Sequence, residues 1–196
     1  MKQLWDKLAK KNSRYYIQSG FGKGITEEQF RQSGKEDYEK YVASDPLMKS
    51  YGVFLEIGCG TGRMTEFINK KYDVVATDIS EEMINQAKNR LDGIYFLVTD
   101  GETLPIPSES IDIVFSYLVF QHMKTMEMVE SNFREAYRVL KPGGLFKVRV
   151  RIDKIDSMDP WWAGVTCDES YPLSIGFKLL KEEKVGNYGK WLWLAK

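Results

Sequence analysis

Residues 55–63 read LEIGCGTGR, an apolar run that meets a glutamate and then sheds three side chains in five positions. Val53–Ile57 is short, apolar and closed by glycine, as a buried parallel strand is. Residues 63–71 then carry Met64, Phe67 and Ile68 at helical spacing. Strand, glycine turn and helix make the opening half of a βαβ unit, and the chain keeps that alternation. Asp73–Asp78 (DVVATD) reads as a second strand. Ser80 caps a helix through about Leu91, with Met83, Ile84 and Ala87 inward. Residues 94–99 are a third strand, and 111–117 a fourth after the proline-marked loop LPIPSES. A helix occupies 126–140, and Lys141-Pro142-Gly143-Gly144 stops it before a fifth strand at 145–151. Such alternation implies right-handed crossovers and a mostly parallel sheet with helices on both faces. The tail departs from it: 177–184 and 191–195 read as a hairpin turned through Gly186-Asn187-Tyr188-Gly189.

The first 45 residues are polar and helical. Leu4, Trp5 and Leu8 share one face. Thr26 with Gln29, and Ser33 with Glu36, are two capping-box patterns, each expected to open a helix, the second with Tyr38, Tyr41 and Val42 inward. Between the first and second helices lies a glycine-rich loop, Ser19-Gly20-Phe21-Gly22-Lys23-Gly24. Residues 153–174 resist assignment, because Pro160 and Pro172 limit long helices there.

Charge narrows the function classes. Lys+Arg and Asp+Glu both number 28, so the broad basic footprint of a nucleic-acid binder is missing. No apolar run approaches the roughly 20 residues that span a bilayer, and MKQLWDKLAKK has no apolar signal core. The expectation is a cytoplasmic chain without a membrane anchor. Cys59 and Cys167 are too few for a metal cluster, so no metal is expected. One bridge between them is open in principle, and a reduced pair is the simpler reading.

The glycine turn sits where open parallel sheets bind ligands, at the carboxyl end of the first strand. Gly58, Gly60 and Gly62 let a ligand approach the main chain. Asp78 lies twenty residues after Gly58, at the end of the next strand, where an acidic side chain holds ribose hydroxyls. The pattern therefore points to a nucleoside-containing ligand. The spacing G-x-G-x-G is not the G-x-G-x-x-G of dinucleotide sites, and no G-K-[ST] phosphate loop is present. Glu56, two residues before the first glycine, would repel a pyrophosphate and attract an ammonium or sulfonium.

Four stretches in order, LEIGCGTGR, VVATDIS, LVTDGETLPIPSESIDIVFSYLVFQHM and LKPGGLFKVRV, resemble the motifs of class I (Rossmann-like) S-adenosylmethionine-dependent methyltransferases, over roughly residues 50 to 151. A Rossmann-like domain for another nucleotide is the competing reading. The resemblance implies a doubly wound seven-stranded sheet of order 3-2-1-4-5-7-6, with strand 7 antiparallel. It implies a single domain over 1–196: an N-terminal helical cap (1–45), a cofactor-binding core (50–151), and a substrate-side segment with the closing hairpin (152–196). It places Glu56, Gly58, Cys59, Gly60 and Gly62 against the methionine part of the cofactor. Asp78 would take the ribose, Ile79 and Met83 the adenine ring, and Asp100 the adenine amino group, with Gly101 and Glu102 beside it. Tyr117 would border the methyl-transfer site.

For chemistry, the lone histidine, His122, is the candidate base, since its ordinary pKa suits proton transfer near neutrality. Its place after the fourth strand equally fits lining the cofactor pocket. Arg151, at the end of the fifth strand, can meet a substrate carboxylate bidentately, or simply face solvent. Tyr15 and Tyr16, near the end of the first helix, and Trp161 or Trp162 are candidate substrate walls. Cys59 reads as a small packing residue. No N-P-P-Y or D-P-P-Y sequence stands after the fourth strand; S-Y-L-V is there instead. That departs from the family's amino-methylating members. The expected acceptor is a small molecule, methylated on oxygen or nitrogen. Methylation of tRNA or protein, or service as a non-catalytic cofactor-binding subunit, stays open. The segment roofing the acceptor side is short, so an oligomer or a partner subunit can be what completes it.

Overall fold

A computed structural model describes residues 1–153 and 164–196. The seven strands form one sheet in the order β3-β2-β1-β4-β5-β7-β6, which is the expected order. β1 (Val53–Ile57), β2 (Asp73–Asp78) and β3 (Tyr95–Val98) run parallel, with Leu55 opposite Val75 and Ala76 opposite Phe96. β4 (Ile111–Ser116) and β5 (Leu140–Arg151) are also parallel. β7 (Gly189–Ala195) lies antiparallel to both β5 and β6 (Lys178–Val185). The residues fall into two compact units, Met1–Asp100 and Gly101–Lys196.

In the first unit, α3 (Thr65–Ile68) and α4 (Glu81–Lys88) are the crossovers. α4 starts where its sequence says it should, with the Ser80 hydroxyl accepting the Met83 amide at 3.2 Å. α1 (Lys2–Ile17) carries a break at Asn12, whose φ of −172° and ψ of 81° are not helical. The Asn12 carboxamide caps the turn beyond the break: Oδ1 accepts from the Tyr15 amide at 3.1 Å, and Nδ2 donates to the Lys23 carbonyl at 3.0 Å. The first stretch of α1 is pinned to the start of α4 by Asp6, which accepts from Ser80 Oγ (2.7 Å) and the Glu82 amide (3.2 Å).

α2 (Glu27–Tyr38) opens with a complete capping box between Thr26 and Gln29. Thr26→Ala should cost about 1 kcal/mol in thermal or urea unfolding; no loss would mean the box is not formed in solution. The second capping pattern does not open a helix. Ser33 lies inside α2, and its hydroxyl donates back to the Phe30 carbonyl at 2.8 Å. A hydroxyl that finds a carbonyl three residues upstream does not stop a helix. α2 therefore continues into a π-helical turn at Glu39–Ala43.

The second unit is built around Phe120, Phe133, Phe146 and Phe177, joined by ring contacts of 5.2 to 6.2 Å. Burying each contributes roughly 1.5–3 kcal/mol. Phe133 comes from α5 (Met126–Val139), capped by Thr125. Lys141-Pro142-Gly143-Gly144 does not separate helix from strand as expected. β5 begins at Leu140 and carries these residues as an irregularity, with Ile111 opposite Leu140 and Ile113 opposite Leu145. The residues before β6 hold a five-residue helix, α6 (Ser170–Ser174), whose brevity matches the limit set by Pro172.

Candidate active site

The glycine turn is built by its own backbone. Gly58, Gly60 and Gly62 have φ of 78°, 56° and 80°, in the left-handed region that other residues enter only with strain. The spaces over two of them are filled by protein. A Cβ at Gly60 would lie 2.9 Å from Ile17 Cδ1, and one at Gly62 would lie 2.6 Å from Leu91 Cδ1.

Four of the turn's amides are spent internally. Gly58 and Cys59 both donate to the Thr77 carbonyl, at 2.7 and 2.9 Å. Gly60 donates to Asp78 Oδ2 at 2.9 Å, and Gly62 to the Cys59 carbonyl at 3.0 Å. A phosphate-binding loop needs such N–H groups free and converging. This one instead presents carboxylates.

Asp78, half-buried at the end of β2, accepts from the Gly60 amide on one oxygen and from the Ser80 amide (2.8 Å) on the other. Each oxygen keeps a further lone pair for a hydroxyl donor. Burial pushes the carboxyl up to about 6, against the pull of the Ser80, Gly60 and Ile79 amides. Glu56 is 5% exposed and accepts from the Thr65 hydroxyl at 2.6 Å. Burial lifts it to about 7; the Thr65 hydrogen bond and the Arg63 charge oppose the shift, and Asp78 adds to it.

The Glu56 shift has a consequence for stability. The unfolded carboxyl gives up its proton near 4.5, whereas the folded one keeps it to about 7. Between those values the native state binds more protons, so stability falls as pH rises through the window and levels off above it. Glu56→Gln cannot ionise, so it should gain on wild type from pH 4.5 to 7 by on the order of 1–3 kcal/mol without cofactor. Paired urea titrations measure this, and a pH-independent difference would refute it.

Of the other expected residues, Ile79 is half-buried and Met83 is buried on α4's inner face. Asp100 is exposed just beyond β3. Cys59 is buried, and burial holds its thiol well above the usual range, so it is no nucleophile. Cys59 and Cys167 are both free. Tyr15 and Tyr16, half-buried, contact edge-on at 5.0 Å beyond the break in α1.

In the second unit, Gly101 has a φ of 89° and its carbonyl accepts from Asn132 Nδ2 at 2.7 Å. Glu102 beside it is exposed. Tyr117 comes directly after β4 and stacks on Trp191, with ring centroids 5.5 Å apart and planes 12° apart. His122 ends a short 3₁₀ turn, with its Nε2 3.1 Å from Gln121 Nε2. Arg151 is 3% exposed and donates to the Asp153 (2.9 Å) and Gly164 (3.0 Å) carbonyls, tying the end of β5 to the chain beyond. Trp161 and Trp162 lie outside the described residues. Sequence reasoning missed Thr65, the partner of Glu56, although a hydroxyl one turn beyond the glycines was the available signal. It also missed Asp6, which no local pattern marks.

Residues 55–148 match the family of the methyltransferase domain. The chain is 34% identical over 114 residues to a malonyl-[acyl-carrier protein] O-methyltransferase of Marinomonas, covering 54% of this chain and 40% of that protein. It is 29% identical over 161 residues to a sterol 24-C-methyltransferase of Pneumocystis carinii, covering 76% and 40%. The chain thus spans about two fifths of the length of these curated relatives. Among solved structures, a SAM-dependent methyltransferase from Aquifex aeolicus superposes with a TM-score of 0.65 at 18% identity, over 87% of this chain and 98% of that one. Sheet order and the glycine turn after β1 define a Rossmann-like fold. Over residues 55–148 the chain matches the methyltransferase-domain family, and its fold is the one found in S-adenosylmethionine-dependent methyltransferases such as that of Aquifex aeolicus.

Proposed function

We propose that this chain transfers a methyl group from S-adenosylmethionine to an oxygen or nitrogen of a small-molecule acceptor. The reading rests most on the glycine turn, four of whose amides are spent on Thr77, Asp78 and Cys59 while Glu56 and Asp78 stand beside it. That chemistry suits a ribose and an ammonium or sulfonium, and does not suit a pyrophosphate. Asp78 holds the ribose hydroxyls on its spare lone pairs. Glu56 and the turn border the amino-acid end, Ile79 and Met83 flank the adenine, and Asp100, Gly101 and Glu102 meet its edge. Tyr117 borders the reacting methyl, with Tyr15 and Tyr16 on the acceptor side. The bound sulfonium supplies an electrophilic methyl group. The chain's work is then to align the acceptor in line with it and to exclude water. His122 receives the acceptor's proton where the acceptor is an alcohol or phenol.

The acceptor is not inherited from the relatives, whose names specify a carrier-bound acid and a sterol. Balanced charge favours a small acceptor over tRNA. Incubation with methyl-labelled S-adenosylmethionine and panels of acids, phenols and amines tests the reading. It predicts label in at least one small acceptor; label only in RNA or protein, or in nothing while the cofactor binds, would overturn it.

A further inference from the structure

Arg149 stands apart from the other arginines. Arg14, Arg31, Arg63, Arg90, Arg134 and Arg138 each meet a carboxylate within 4 Å. Arg151 meets carbonyls. Arg149 has no acidic or carbonyl partner among the described residues, and its Nε is buried with no acceptor. An unanswered buried donor on a fixed positive charge is costly, and calls for an explanation.

The guanidinium is held in place nonetheless. Its Cζ lies 5.7 Å from the centre of the Tyr117 ring, and that ring stacks on Trp191. Arg149 pairs with Trp191 across the β5–β7 ladder, and Arg151 with Gly189. A Cβ at Gly189 would come within 2.7 Å of Arg149 Nε and 3.0 Å of Nη2, so glycine there leaves the room the guanidinium occupies. Leu118, next to Tyr117, has a φ of 60°, an uncommon conformation for a side chain that branches at Cγ. Lys147, two residues back on the same face of β5, lies 4.8 Å from the Trp191 ring and 4.6 Å from Trp193. It adds potential of the same sign.

Ser116 pairs with Val148, so Arg149 stands level with Tyr117, just past the carboxyl end of β4. Open α/β sheets receive their ligands at that end. A planar fork of donors, fixed on an aromatic face and lacking a counter-charge, matches a carboxylate or phosphate bidentately. We infer that Arg149, braced by Tyr117 and Gly189, is an anion receptor on the acceptor side, taking a carboxylate or phosphate group of the methyl acceptor. The anion site stands on the geometry of the second unit; its assignment to the acceptor rests on the methyltransferase reading above.

Protein labelled with ¹⁵N-arginine tests both. The Nε–H signal of Arg149 is assigned by its absence in Arg149→Lys. Benzoate, phenyl phosphate and the neutral isostere benzamide are titrated in turn, and S-adenosylhomocysteine last. Benzoate or phenyl phosphate should move the Arg149 signal saturably, about tenfold or more tighter than benzamide. The same anions should bind Arg149→Lys about tenfold more weakly or worse. Response to one anion alone identifies the group as carboxylate or phosphate. Benzamide matching benzoate, unchanged anion binding in Arg149→Lys, or no movement with either anion would overturn the proposal and leave Arg149 as a brace for Tyr117. The benzoate and benzamide comparison uses wild-type protein, so it decides even where the variant folds poorly. Anion binding intact with S-adenosylhomocysteine binding absent would instead overturn the methyltransferase reading and spare the anion site.

Discussion

Asp78→Ala should weaken S-adenosylhomocysteine binding by about a hundredfold or more. Charge-assisted hydrogen bonds contribute roughly 1.5–3 kcal/mol each, and in the proposed site the carboxylate would take two ribose hydroxyls. Part of the loss is preorganisation, because Asp78 also receives the Gly60 and Ser80 amides. Asp78→Asn separates the two. Asparagine keeps one acceptor oxygen, so it should hold the turn better than alanine while still binding the cofactor far more weakly than wild type. Since the folded carboxyl titrates near 6, wild-type affinity should also decline as pH falls through that value. Calorimetry across pH 5 to 8 would show both effects. Affinity within threefold of wild type in Asp78→Ala would remove the ribose site from β2.

Gly34→Ala should destabilise the protein by about 3 kcal/mol, although alanine in a helix interior ordinarily stabilises by about 1 kcal/mol relative to glycine. The sign reverses because α2 touches the chain leaving the glycine turn. A Cβ at position 34 would lie 2.2 Å from the Arg63 carbonyl oxygen and 2.8 Å from Arg63 Cγ. The oxygen is backbone, and it comes directly after Gly62, so it can yield only by displacing the turn. Arg63 is further held there, forming an ion pair with Asp37 (2.7 Å) and donating to Ser33 Oγ (3.2 Å). Gly24→Ala is the control, because a Cβ there meets nothing within 4 Å; it should be near neutral. Urea unfolding of the pair is the measurement. A neutral Gly34→Ala would mean that α2 does not pack on the turn.

These two positions show how much of the molecule is legible in its sequence. The β1 turn and Asp78 are legible because their chemistry is local: an apolar run, glycines at left-handed positions, and an acid at the next strand's end. The sheet order comes from the resemblance of four ordered stretches to a known fold. Three local features mislead, each through a competing partner. Ser33 looks like a cap, but its hydroxyl has a carbonyl three residues back. Asn12 looks helical, but its carboxamide bonds Lys23, eleven residues away. Lys141-Pro142-Gly143-Gly144 looks like a stop, but β4 offers a ladder that absorbs it. The acceptor side is hardest. Alternation puts Arg149 and Arg151 on one face of β5, and the sequence favours Arg151 because it is terminal. Which of them carries carbonyl partners depends on where residues 153 and 164 return, and no periodicity encodes that. The raised pKa of Glu56 is invisible in the same way, because it arises from burial of a polar side chain within an otherwise apolar strand.

Calorimetric titration of the wild-type protein with S-adenosylmethionine, S-adenosylhomocysteine and NAD, in parallel, bears most directly on the whole account. Micromolar binding of the first two with no heat from NAD is the expected result, since four of the turn's amides are already spent within the protein and two carboxylates stand beside it. Binding of NAD in preference to S-adenosylhomocysteine would contradict it.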